Sequence, residues 1–573
     1  MSRFLLLFVF VLWMSCPEQP VIGGSSLLVG AICFLGFYAF LVGIMGLWSR
    51  WMARRVHFGD FHRRVQRFNR VMFFAQLMVP AWYAVGVLAL GWKMLVTRAL
   101  AQTPLVHVAV DFPSVIVGSF PAFLAWMGLW WAQYPADRAL REQNAMIELE
   151  QDFPIHAPPT FWVYFGVNFR LQLLFAIAPV LLLVLMRDVL SLSLAPIFHH
   201  VPWLQGRETL MESLISFPSF AVILLFGPEL LRRVLHTDPM PDTPLRRRLE
   251  NMCKEHGVGY RDVLLWRTQH YMGNAAVMGF IPQVRYILLS DLLLETMDDD
   301  QIEAVFAHEV GHVIHRHLYW LVAAMATLLM ALSGPGQSLV DSTWFQHLAR
   351  IPDAVQVGLL LAMGLGIFLL VFGWIMRKFE RQADVFAARV IQSRAGMEAV
   401  LPSGDAAGDS SGVSSDGVSN GISNGVSNGE SVSISDLLLN IKSSTAPAIV
   451  YPRLSPASLG IGSPTTGTFV GTRGAEVFCS ALEKVAHVNN IPIMARSWCH
   501  GSIAKRMQFL VDLSADPART ARFDRFMSRL YLSLTASLCI FGAWTMVTMW
   551  QQPATDVMTP DLVQQVQQVH VSP

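Results

Sequence analysis

Asp298 to Leu332 reads DDDQIEAVFAHEVGHVIHRHLYWLVAAMATLLMAL, a polar, histidine-bearing stretch that runs straight into an apolar one. Within it lies His308-Glu309-Val310-Gly311-His312. On a helix, residues four apart project within about 40° of each other, so both imidazoles face one way. Two imidazole nitrogens then fill two corners of a tetrahedron around zinc, and Glu309, one residue along, reaches the water that the metal activates. The same five residues also fit a surface helix with satisfied histidines. The flanks favour the first reading. Asp298-Asp299-Asp300 precede Gln301-Ile302-Glu303, and an acidic residue three before a glutamate is a helix-start signature of the capping-box type. Ile302, Val305, Phe306, Val310, Val313, Ile314 and Leu318 then recur at helical spacing.

A hydrolytic zinc site needs a third protein ligand and an open fourth position. Downstream, Arg377-Lys378-Phe379-Glu380-Arg381-Gln382-Ala383-Asp384 carries two carboxylates four apart, on one helical face. Glu380 supplies a third ligand, and Asp384, one turn on, holds a ligating imidazole by its remaining N–H. A solvated charge cluster beside a membrane is the alternative. The intervening chain decides for the site. Leu318–Leu332 and Val355–Met376 are apolar and read as an antiparallel membrane hairpin, the first arm extending the motif helix directly. His312 lies roughly 9 Å before the first arm and Glu380 roughly 6 Å beyond the second at the helical rise. All three ligands therefore arrive at nearly one height above the bilayer. His315 and His317 are read as lining the membrane interface.

Composition agrees with a polytopic chain: of 573 residues, 53% are hydrophobic and only 14% charged. Further apolar spans are expected at 26–48, 71–96, 112–133, 161–186, 213–231 and 527–550. Residues 1–16 resemble a signal segment or a short extra span and are expected to stay uncleaved. Basic clusters at 50–70 and 232–248, with Arg377 and Lys378 after the hairpin, fall on one side when the spans alternate, and the positive-inside rule makes that side cytoplasmic. The metal site then faces the cytoplasm, and the tail after Trp550 faces out. A net charge of +1 argues against nucleic acid as a partner. Six cysteines without paired spacing suggest no disulfide framework.

Val284 to Ser290 reads as a strand before the motif helix. Residues about 403–433 repeat Gly417-Val418-Ser419-Asn420 as Gly421-Ile422-Ser423-Asn424 and again at 425–428, a Ser/Gly/Asn-rich insert expected to be disordered. The expected division is 1–231, an N-terminal membrane region; 232–526, carrying the motifs and the hairpin 318–376; 527–550, a last span; and 551–573, a tail.

Asn274-Ala275 through Gly279, Arg285 to Asp291, the His308 motif and Glu380-Arg381-Gln382-Ala383-Asp384 resemble, in order, the HtpX and type I CAAX prenyl protease family of membrane-embedded zinc metallopeptidases of the gluzincin type. The resemblance runs over roughly residues 230–520. It implies a mainly α fold: a polytopic helical membrane protein with a cytoplasmic α+β, zincin-like metallopeptidase domain split by a transmembrane hairpin. It implies one Zn2+ per chain on His308, His312 and Glu380, catalysis by Glu309, and Asp384 in support. Ser497 to Arg506 looks like the family's C-terminal histidine and arginine region, although Gly501 follows His500 where the family has proline. His500 is read either as a donor to the developing oxyanion or as a structural histidine beside a thiol. Asn274 and Tyr286 are read as substrate-binding, a peptide adding to the strand near Tyr286; for Asn274 a plain turn residue is the equal alternative. The expected partners are a peptide or membrane-protein substrate and the lipid bilayer, and the expected setting is a bacterial inner membrane. Two competing readings are a transporter, receptor or scaffold with a structural zinc domain and an intramembrane site-two protease. The open fourth position disfavours the former, and ligands just outside the bilayer disfavour the latter.

Overall fold

The computed structural model describes residues 2–16, 26–55, 61–102, 111–150, 157–201, 208–333, 353–400, 469–489 and 491–551. The connection between the hairpin arms, the insert at about 403–433 and the tail beyond 551 lie outside the described residues.

The chain opens with α1 (Ser2–Ser15), α2 (Leu27–Ala53), α3 (Phe61–Leu88), α4 (Trp92–Ala101) and α5 (Phe112–Glu150). Next, α6 (Phe161–Asn168) passes through a π-helical turn, Phe169–Leu174, into α7 (Phe175–His199), and α8 (Glu208–Val234) follows. Trp13, Phe34, Tyr83, Trp126 and Trp130 are buried together where α1, α2, α3 and α5 meet. The expected span 71–96 is corrected: α3 ends at Leu88, and α4 is a separate short helix. The break comes at Gly91, which takes a left-handed φ of 71°. It is locked against α2, since a Cβ on Gly30 would sit 2.3 Å from the Leu90 carbonyl oxygen.

A small mixed sheet then forms from β1 (Thr237–Pro239), β2 (Asp262–Trp266), β3 (Ala275–Met278) and β4 (Tyr286–Ser290), with α9 (Pro244–Glu255) between the first two. Its order is β1-β2-β4-β3; β2 and β4 run parallel, and β3 is an antiparallel edge strand. Alternation along β4 sends its side chains into two different cores. Ile287 and Leu289 face the core beneath the motif helix, whereas Tyr286 and Leu288 face Val167, Leu171 and Leu235. The sheet is thus covered on both faces, which is why β4 reads as one apolar run.

After α10 (Asp291–Thr296), the motif helix α11 (Asp299–Ile314) starts on Asp298, whose carboxylate accepts from the Gln301 N–H at 2.8 Å. The expectation that the membrane arm extends this helix directly is corrected: α12 (His317–Ser333) departs at 47°. The bend is made by Arg316, held at φ 55°. The second arm is the first half of α13 (Asp353–Val400), a continuous 48-residue helix that also carries Glu380 and Asp384. Then come α14 (Thr472–Val488), α15 (Ile503–Ala515) and α16 (Pro517–Gln551), whose Met527 and Leu530 pack with Ala324, Phe372 and Ile375 of the two arms. Among the described residues six helices are long and apolar enough to cross a membrane, or seven if α11 and α12 count as one bent span. The molecule is a polytopic helical membrane protein with a small sheet.

Candidate metal centre

Three ligand-type side chains converge where α11 crosses α13. His308 Nε2 and His312 Nε2 lie 3.2 Å apart. Glu380 brings Oε2 to 3.6 Å from His308 Nε2 and Oε1 to 3.8 Å from His312 Nε2. A tetrahedron drawn at metal–ligand distances of about 2.0–2.1 Å has an edge of about 3.3–3.4 Å. The two imidazole nitrogens sit near that edge length, and one ligand atom from each of the three side chains lies within 4.8 Å of the others; among the described residues this is the group of His, Cys, Asp and Glu side chains that could hold a metal ion. The helices approach closely because of Gly311: a Cβ there would sit 3.1 Å from Phe386 Cδ1 and 3.2 Å from Ala383 Cα.

Behind the ligands, each imidazole has a partner on its far nitrogen. Asp384 Oδ1 lies 3.0 Å from His308 Nδ1. His312 Nδ1 meets His317 Nδ1 at 2.8 Å, and His317 Nε2 meets Gln382 Oε1 at 3.0 Å. The Tyr531 hydroxyl, from α16, donates to the same Gln382 oxygen at 2.5 Å. Since that oxygen only accepts, His317 carries its proton on Nε2 and accepts from the Nδ1–H of His312, which leaves His312 Nε2 a free lone pair. The expectation that His317 lines the membrane interface is thereby corrected. His317 is buried, stacked on Phe379. The signal was weak because residues five apart on a straight helix diverge by about 140°. Only the bend at Arg316 turns His317 back.

Arg506, from α15, balances the buried carboxylates. It donates to both Asp384 oxygens, at 2.9 and 2.5 Å, and lies 3.4 Å from Glu380. Burial alone would push Asp384 up, but the guanidinium holds its carboxyl below the usual range. Glu380 is held well below that range by His500 and Arg506 against the same burial. Burial and the neighbouring His308 push His312 down to about 3, which favours the neutral, ligating ring. For His308 the Asp384 contact outweighs burial and raises its basicity. In the sequence Arg506 is marked only by the resemblance of Ser497 to Arg506, with no partner; 122 positions separate it from Asp384, and nothing local joins the pair.

The cluster opens on a cavity of about 760 Å³ whose lining includes Glu309, Asn274, Val277, His500, Leu318 and Tyr319. Glu309 Oε2 accepts from the Val277 N–H at 3.1 Å, and burial raises its carboxyl above the ordinary value. Val277 therefore points its backbone away from β4, and Asn274 starts the same edge, its carbonyl accepting from Ser290 N–H at 2.9 Å. His500 sits at the tip of the Ser497–Gly501 turn, with Nδ1 2.9 Å from Glu380 Oε1. Gly501 takes φ 78° there, which proline cannot adopt. Trp498 pins this turn to α13 by donating to the Leu369 carbonyl at 2.7 Å. Tyr286 is not brought to the cavity. It lies on β4, an interior strand, and its hydroxyl donates to Glu229 at 2.8 Å on the opposite face of the sheet. The free edge belongs to β3, so the expected pairing beside Tyr286 moves one strand over.

Residues 239–402 match the family model described as Peptidase family M48. The chain is 29% identical over 161 residues to the "CAAX prenyl protease 1 homolog" of Arabidopsis thaliana, covering 26% of this chain and 38% of that one. It is 27% identical over 165 residues to the "Protease HtpX" of Ectopseudomonas mendocina, covering 27% and 55%. To the "Protease HtpX homolog" of Aeropyrum pernix it is 27% identical over 205 residues, covering 34% and 63%. The chain thus spans less than two thirds of the length of each of these relatives. The crystal structure of S. mikatae Ste24p aligns at 14% identity and a TM-score of 0.25, over 64% of this chain and 89% of that one, a likeness too slight to carry an argument. The resemblance to the HtpX and type I CAAX prenyl protease family is borne out over the stretch that carries the cluster.

Proposed function

We propose that this chain is a zinc-dependent membrane endopeptidase acting on membrane or misfolded proteins, with one zinc ion per chain on His308, His312 and Glu380. The observation that carries the reading is the convergence of those three side chains, the two imidazole nitrogens 3.2 Å apart with one Glu380 oxygen 3.6 Å from His308 and the other 3.8 Å from His312. Three protein ligands leave a position for chemistry, whereas a structural zinc closes all four. Bound zinc supplies Lewis-acid polarisation of the scissile carbonyl and makes hydroxide accessible near neutral pH.

The rest is done by the chain. Glu309 takes the proton of the attacking water and passes it to the leaving amine, and its raised basicity suits that task. Asp384 and His317 hold the two imidazoles by their far nitrogens. The substrate backbone adds to the free edge of β3 beside Asn274, where the Val277 N–H exchanges Glu309 for a peptide carbonyl. His500 donates to the oxyanion as its charge develops. Tyr286 takes no part in substrate binding in this reading. Membrane substrates are supported by the cavity's reach to Leu318 and Tyr319 of the membrane arm. The arginine clusters support a catalytic face on the cytoplasmic side.

The test is cleavage of an unstructured peptide by the full chain in detergent, abolished by chelation and restored by zinc. Glu309→Gln is expected to keep its zinc and lose about 10²–10⁴-fold in rate; Glu380→Ala is expected to lose the metal. Retained cleavage in Glu309→Gln, or unchanged zinc content in Glu380→Ala, overturns the assignment.

A further inference from the structure

The loop that feeds β3 is tied to two different parts of the molecule. Gln269 and His270 are consecutive non-glycine residues in the left-handed region, with φ of 56° and 55°. Such a pair persists only where the surroundings over-determine it. Asp291 does so from the α10 side, accepting from the Gln269 N–H at 2.8 Å, the His270 N–H at 3.5 Å and the Thr268 hydroxyl. The turn sends Tyr271 the other way, into the membrane bundle. There the Arg141 guanidinium lies 4.4 Å from its ring centroid, Tyr164 meets it edge-on at 6.1 Å, and Asn168 Nδ2 approaches its hydroxyl at 3.4 Å.

Both sides of this contact are braced. Asp137 holds Arg141 at 2.9 Å, Gln133 reaches the Tyr164 hydroxyl, and Gln172 of the π-helical turn reaches Asn168. On the other side, Asn489 clamps Gly273 by accepting from its N–H at 3.1 Å and donating to its carbonyl at 2.7 Å. The Asn274 N–H then donates to Ser290 Oγ at 2.8 Å, and three residues on, the Val277 N–H meets Glu309. From Tyr271 to the backbone group facing Glu309 is a short, doubly held length of chain.

We infer that Tyr271 is a positioning residue through which the N-terminal membrane bundle sets the edge of β3 against Glu309, so that the bundle governs peptide pairing. The inference rests on the proposed role of β3 as the peptide-pairing edge. The bundle also packs on the far face of β4 through Val167, Leu171 and Leu235, but Tyr271 is its contact on the segment that leads into the β3 edge. Loosening Tyr271 weakens peptide binding and leaves the ligands where they are.

The test uses full-length protein in nanodiscs, comparing wild type with Tyr271→Ala, Tyr271→Phe, Arg141→Ala and the double alanine variant. Amide hydrogen exchange is read beside cleavage of an unstructured peptide. Tyr271→Ala is expected to speed exchange over residues 272–278 by about tenfold while 302–314 is unchanged. Its KM rises by about tenfold, with kcat within about twofold and zinc content unaltered. Tyr271→Phe, which keeps the ring under Arg141, stays near wild type. Arg141→Ala moves the same readouts, and the double variant adds little to Tyr271→Ala. Unchanged exchange at 272–278 in Tyr271→Ala overturns the inference, as do additive effects or exchange lost equally over 302–314. A wild-type protein without zinc-dependent cleavage sinks the proposed function instead, and the exchange data still decide the relay.

Discussion

Arg506 illustrates how the site tolerates two buried carboxylates side by side. Asp384 and Glu380 are both almost fully buried, and an ionised carboxylate costs several kcal/mol to bury unless charge and hydrogen bonds compensate it. The bidentate guanidinium supplies both to Asp384. Arg506→Met is therefore expected to destabilise the protein by about 3–5 kcal/mol, and Asp384→Asn combined with Arg506→Met by less than Arg506→Met alone. Thermal melts in detergent read the difference; a double variant no more stable than that single one would contradict the charge-balance account. His317 makes a separable contribution. His317→Ala leaves the charges alone but frees the far nitrogen of His312, and zinc affinity is expected to fall about 10–100-fold. Competition with a chromogenic chelator measures this, and wild-type affinity would remove His317 from the support of the site.

At the scale of elements, the centre is a crossing of two helices, one rooted in the sheet and one rising from the membrane. The crossing is close because Gly311, inside the H-E-x-x-H stretch, presents no side chain to Ala383 and Phe386. Gly311→Val is expected to push α11 from α13, costing about 1–3 kcal/mol and lowering zinc occupancy as His312 draws away from Glu380. Metal analysis after gel filtration, with a melt on the same sample, checks both effects; full occupancy at unchanged stability would show that the crossing has slack. The strands follow the same logic of packing over local pattern. The run 284–290 reads as a strand, and 286–290 forms one, yet only pairing with β2 and β3 made it interior and turned Tyr286 away from the cavity.

The whole molecule joins a membrane bundle, a small sheet and a split helical unit around one face of that sheet's edge. Alternation of the spans puts 134–160 on the same side as the metal cluster, and the contact of Arg141, Tyr164 and Asn168 with Tyr271 agrees with that assignment. Alkaline phosphatase fused after residue 550 is accordingly expected to be active, and the same enzyme fused after residue 255 inactive. An inactive fusion at 550 would reverse the orientation drawn from the arginine clusters.

Read alone, the chain was sufficient for whatever depends on neighbours in sequence. Helical spacing set His308 beside His312 and Glu380 beside Asp384, hydropathy marked the membrane helices, and two apolar arms implied that the pairs meet. Span ends were less legible, since the stop at Leu88 goes with the left-handed turn at Gly91, which sits where Gly30 of another helix lies against Leu90. Contacts between distant segments waited on the fold: Arg506 with Asp384, Tyr531 through Gln382 and His317 to His312, Tyr271 with the bundle. The physical reason is range. A helix's face is written in its own few turns, whereas which charge neutralises a buried carboxylate, and which strand is left as an edge, is settled only when separate elements pack.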